Sequence, residues 1–164
     1  MVMINEFYLI RAIKKFQKLN IKEKEIICDE IFIEQPNLLA SVLVQQQLGN
    51  TIEEVDVLLS VLIVLHLALK ESGKRIVKIS EEEQEHQLRE LLANIKFSEG
   101  MGRNLVDSSI SQYVENHNEP FLLAYVIEVM KEAKFFEKER ESSKFLIMAG
   151  LNLVNCIAKA QTLP

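Results

Sequence analysis

Apolar and polar positions along this chain recur at the three- and four-residue steps of a helix almost throughout. Leu9, Ala12, Ile13, Phe16 and Leu19 share one side of a helix over about residues 4–19, opposite Arg11, Lys14, Lys15 and Lys18. A second helix is predicted over about 22–34, with Ile27, Cys28, Ile31 and Phe32 inward. Pro36 starts a third, because the first helical position has no partner for an N–H anyway. Gly49-Asn50 ends it. Thr51 and Glu54 then stand at the spacing of a capping box, in which the two residues satisfy each other's free N–H groups.

Two stretches break the amphipathic rule. Val57–Leu69 and Phe145–Ala158 contain no charged residue and are apolar almost all round a helix. Such a helix must be enclosed by protein or lipid. Both fall well short of the ~20 apolar residues that span a bilayer. They are predicted to be two central helices wrapped by the amphipathic ones. Ser72-Gly73 closes the first of them.

Lys74–Ile79 is the only strand-like run, and an isolated strand has nothing to pair with. It is predicted to be an extended connector. Ser80 and Glu83 repeat the capping-box spacing, and Leu88, Leu91, Leu92 and Ile95 make the inner face of a helix over about 81–97. Gly100 and Gly102 mark a turn; Val106, Ile110, Tyr113 and His117 line one side of the next helix. Pro120 starts another, and the last covers about 138–161. Neither Gly nor Pro occurs between 121 and 149, so one bent helix over 120–160 is the alternative to this break.

The expected fold is all-α: a single-domain bundle of about seven or eight helices around two central apolar ones. An internal pseudo-repeat is one reading of its order. Pro36–Val42 and Pro120–Val126 both read P-x-L-L-A-x-V, and each precedes a central helix, which divides the chain into two four-helix units over 4–73 and 80–161. The other reading is two ordinary proline-started helices in a Leu- and Ala-rich chain.

Composition narrows function mainly by exclusion. The 164 residues are 48% apolar and 26% charged, ordinary for one globular domain that needs no metal or disulfide to hold its core. The net charge is −5 and all of it falls after residue 80. An acidic second half repels phosphate backbones, so nucleic acid is not an expected partner. Residues 43–62 have a helix–Gly–helix layout, yet the second helix opens with Glu53, Glu54 and Asp56 and has nothing to read a base edge. Cys28 and Cys156 sit among apolar residues at helical spacing and read as buried free thiols. The N-terminus has Glu6 inside its apolar stretch and no basic lead, which makes a poor signal peptide; the cytoplasm is the expected compartment.

Candidate chemistry is sparse. Glu83 and His86 form an E-x-x-H, but a di-iron bundle needs two such motifs and two more inward carboxylates. No metal or cofactor is expected. His66 lies between Leu65 and Leu67 on the first central helix, where an imidazole needs a partner. Asn152 and Asn155 are one turn apart on the second, near Gly150, whose place in a helix interior suggests close approach of a neighbour. His66, Asn152 and Asn155 are therefore the candidate ligand-binding residues, in a pocket between the central helices. No catalytic residue is assigned. The functional expectation is a non-catalytic protein acting through protein–protein contact, with a specific partner or as a homo-oligomer. The alternative is a small-molecule-binding or enzymatic bundle using the His66–Asn152–Asn155 pocket.

Overall fold

The computed structural model describes residues 3–98, 111 and 113–164. Among these residues the regular structure is helical: α1 (Glu6–Gln17), α2 (Ile21–Glu34), α3 (Pro36–Leu43), α4 (Ile52–Ser72), α5 (Glu81–Ser98), α6 (Pro120–Glu132) and α7 (Glu141–Lys159). Short 3-10 turns follow α3 at Val44–Gln46 and α6 at Phe135–Glu137. The expectation of an all-α bundle is met.

The two charge-free stretches lie where the pattern places them. In α4 every residue from Val61 to Leu69 is buried, and in α7 every residue from Gly150 to Ala158. The other helices wrap this pair. α1 packs on α4, α5 packs on α7, and α3 and α6 touch both. Gly150 sits where three helices converge. A Cβ built on it would lie 2.9 Å from Met130 Sδ of α6 and 3.2 Å from Leu58 Cδ1 of α4, so only hydrogen fits without displacement.

The caps explain most boundaries. Thr51 Oγ1 accepts from the Glu54 N–H, and Glu54 Oε1 accepts from the Thr51 N–H. Asn20 and Glu23 make the same reciprocal pair at the start of α2, although Asn20 reads in the sequence only as a break. Gly73 ends α4 in the left-handed region, at φ 73°. Ser80 Oγ accepts from the Glu83 N–H at the start of α5.

Two expectations change in detail, and the boundary left open within 120–160 resolves as two helices. α3 ends at Leu43, and the chain reaches Asn50 through a 3-10 turn. Residues 120–160 are two helices: Lys134, with φ 63°, takes the left-handed turn usually given to glycine, which is why the composition carries no mark of the break. The 74–79 connector does find a partner. Val77 N donates to Gln161 O at 2.8 Å and Leu163 N to Arg75 O at 2.8 Å, so it pairs through one antiparallel bridge, Ile76 with Thr162, to the end of the chain. Gly100, Gly102, Val106 and Ile110 lie outside the described residues.

The two P-x-L-L-A-x-V segments play matching parts. Leu38, Leu39 and Val42 are buried in α3, and Leu122, Leu123 and Val126 in α6. The residue before each proline is buried, polar and similarly bent: Gln35 at φ −139°, ψ 63° and Glu119 at φ −125°, ψ 68°. Each accepts a distant backbone N–H, Gln35 Oε1 from Ile79 and Glu119 Oε2 from Ile4, both at 2.9 Å. Glu119 also takes the ammonium of Lys74 at 3.3 Å, a pair that is almost wholly buried.

Candidate functional site

The helices carry the three sequence-predicted residues to three different sets of partners. His66 faces α2. Asn152, on α7, donates through Nδ2 to the Gln84 carbonyl of α5 at 3.1 Å, while its Oδ1 is buried without a partner. Asn155, one turn further on, faces Tyr113 and His117. The residues lining the cleft at Asn155 do not include His66 or Asn152.

That cleft has a volume of about 200 Å³ and lies between α5, the 113–118 segment and the end of α7. Gln87, Glu90, Leu91, Tyr113, His117 and Asn155 contribute to its walls. Three of its polar side chains bond to one another. Asn155 Oδ1 accepts from the Tyr113 hydroxyl at 3.1 Å and lies 2.7 Å from His117 Nε2. The Glu119 N–H donates to His117 Nδ1 at 2.9 Å. Nδ1 is thus the acceptor, and Nε2 must carry the proton it gives to Asn155. Both ring nitrogens are committed, so this imidazole serves as a brace at the start of α6, with no lone pair left for base chemistry. Burial pushes the Tyr113 phenol up, against the hydrogen bond to Asn155.

His66 is differently placed. Its side chain is 7% exposed, and Nε2 is buried with no hydrogen-bond partner. Nε2 lies 3.6 Å from Glu30 Oε1, and Nδ1 lies 4.0 Å from Glu34 Oε2. Glu30 and Glu34 are one turn apart on α2; His66 and Lys70 are one turn apart on α4. One ligand atom from each of Glu30, Glu34 and His66 fits within a mutual separation of 4.8 Å. Lys70 Nζ sits 2.6 Å from Glu30 Oε1. The lysine hydrogen bond holds the Glu30 carboxyl below its ordinary range. Burial lowers the His66 pKa, and the two glutamates oppose that only partly, so the ring is neutral at pH 7.

The sequence reading missed Glu30 and Glu34. No carboxylate lies one turn from His66 along α4, and these two come from a different helix. The available signal was a matched pair of one-turn spacings, E-x-x-x-E on α2 and H-x-x-x-K on α4. Glu83 and His86 do not form a cluster: the Glu83 N–H donates to the Ser80 hydroxyl that caps α5, and His86 pairs with Glu90 at 3.2 Å on an exposed face.

Both cysteines are free thiols, as expected. Burial drives Cys156 up to about 12; burial, then Asp29, Asp56 and Glu25, raises Cys28. Neither is an activated nucleophile.

The third polar centre is structural. Glu54 is buried, and its Oε2 receives both Lys138 Nζ and Arg140 at 2.8 Å. These bonds tie the start of α4 to the segment leading into α7. Burial alone would raise the Glu54 pKa, but the bonds from Lys138, Thr51 and Arg140 outweigh it and hold the carboxyl at about 2.

No family profile, curated protein or solved structure matches this chain. Among the described residues, no helix is long and apolar enough to cross a membrane.

Proposed function

We propose that this protein is a non-catalytic helical module that acts through protein–protein contact, and that the contact is self-association through the outer side of α2. The observation that carries this reading is the exposure of that helix's apolar residues. Ile26 is 59% exposed and Ile33 71%, and they stand two turns apart on one side of α2; Phe32, at 64%, flanks them. The opposite side of the same helix meets the core through Ile27, Cys28 and Ile31. α2 therefore carries apolar residues on its outer side as well, set among charged ones, and exposed apolar surface beyond what the core needs marks an interaction face.

Charge is compatible with an antiparallel second copy as the cover. Lys22 and Lys24 balance Glu23 and Glu25 in the first half of α2, while Asp29, Glu30 and Glu34 make its second half acidic, so antiparallel pairing keeps the two acidic halves apart. Antiparallel pairing about a twofold axis sets Ile26 and Ile33 against the apolar residues of the other α2. It also moves Lys22 of each copy towards the acidic half of its mate. A twofold contact must be self-complementary in this way. Changing Ile26→Glu together with Ile33→Glu tests the reading. Light scattering is expected to give twice the 18.9 kDa chain mass for the natural sequence and the single-chain mass for the variant. The variant's melting temperature measured at high dilution should match, since both residues are exposed in the single chain. A natural chain that stays monomeric at about 100 μM would refute self-association of any useful strength.

The cleft at Asn155 favours a second reading, a bundle that binds a small polar molecule. Its support would be a compound that shifts the Tyr113 and His117 NMR signals together.

A further inference from the structure

We propose that Glu30, Glu34 and His66 bind a divalent first-row transition cation of the zinc class, which takes the place now held by the Lys70 ammonium. Three observations carry the site. The first is a donor set from two helices: two carboxylates one turn apart on α2 and an imidazole on α4, with one donor atom each inside 4.8 Å. The second is His66 Nε2 itself, a ring nitrogen more than nine-tenths buried, without a hydrogen-bond partner and pointed at Glu30. Buried polar atoms in folded proteins nearly always have a partner, and Nε2 stops at 3.6 Å from the Glu30 carboxylate, beyond hydrogen-bond reach, while Glu34 lies on the Nδ1 side of the ring. The third is Lys70. A cation already sits on Glu30 at 2.6 Å, which shows the position to be one of negative potential.

The distances suit a small metal. Tetrahedral zinc with ligands at about 2.0–2.1 Å sets neighbouring donor atoms about 3.3 Å apart. Glu30 Oε1 and His66 Nε2 are already 3.6 Å apart. Glu34 must swing in, and its side chain, 55% exposed, is free to do so. Lys70 must swing out, and its side chain is 54% exposed. An imidazole donor selects transition cations over calcium or magnesium, which prefer all-oxygen sites. Three protein ligands leave a fourth position for water. Bound there, the cation would pin α2 to α4 beside the self-association face, but the site does not depend on that face.

Titration with zinc chloride by isothermal calorimetry tests the proposal, with histidine ring NMR to locate the ion. The full chain is expected to take up one zinc per chain at micromolar affinity, shifting the His66 ring signals. Glu34→Gln and Glu30→Gln should each weaken binding tenfold or more. The Glu34 side chain is 55% exposed, so its variant stays folded and keeps the test decisive even if a His66 variant does not fold. Lys70→Met should strengthen binding severalfold, because the competing ammonium is gone. Zinc affinity unchanged in both glutamate variants would overturn the proposal. So would a zinc signal confined to the exposed His86–Glu90 pair and abolished by His86→Gln, or Lys70→Met binding no more tightly than the natural chain.

Discussion

Replacing Glu54 with glutamine should destabilise the protein by about 2 kcal/mol at pH 7, and the loss should shrink as the solution is acidified. The side chain is buried, caps α4 through Thr51, and accepts from Lys138 and Arg140. Glutamine keeps the shape and one acceptor oxygen but removes the charge. The fall of the carboxyl from its ordinary 4.5 to about 2 corresponds to about 3 kcal/mol of preference for the ionised form in the folded state. Lys138 and Arg140 are 35% and 46% exposed, so solvent screens part of that, leaving about 2 kcal/mol. The sign follows from the depressed pKa. Above about 4.5 both folded and unfolded chains carry the charge, and the contribution is complete. Between 4.5 and 2 the unfolded chain takes up the proton first, so stability is lost as pH falls through that window. By pH 3 more than half of the charge-dependent part should be gone. Urea unfolding of both proteins at pH 7, 5, 4 and 3 reads the difference directly, and carboxylates common to both cancel. A difference below about 0.5 kcal/mol at pH 7, or one that stays constant down to pH 3, would refute the reasoning.

Two further outcomes can be checked with the same material. Glu119→Gln should cost about 3 kcal/mol in urea unfolding, because it strands the nearly buried Lys74 ammonium; Glu119→Gln combined with Lys74→Met should recover a large part of that loss. Ellman's reagent should label Cys156 only after denaturation, since its thiol is buried and pushed up to about 12, and should label half-buried Cys28 slowly at pH 8. Prompt labelling of Cys156 in the native state would mean that α7 opens locally.

What could be read from the sequence was local. Proline at 36 and 120, glycine at 73 and the Thr51–Glu54 pair are recognised by spacing alone, and each marks a real boundary. The central helices were legible because thirteen or more residues without charge leave few other homes for α4 and α7. The turn at Lys134 was not, because a non-glycine residue took the left-handed conformation. The polar centres were the least legible, since each joins residues distant along the chain. Glu54 meets Lys138 and Arg140, Gln35 meets Ile79, and His66 meets Glu30 and Glu34. Helical periodicity places a side chain on a side of its own helix; it does not say which helix will face it. Phe32 is one residue whose side was misjudged: it reads as inward on α2, but the single chain leaves it in solvent with Ile26 and Ile33.

Sedimentation equilibrium of the natural chain from about 1 to 100 μM is the most direct measurement of whether α2 is an interface. The account predicts a monomer–dimer equilibrium that shifts to monomer when Ile26 and Ile33 are made charged. A single species of 18.9 kDa across the whole range would contradict it.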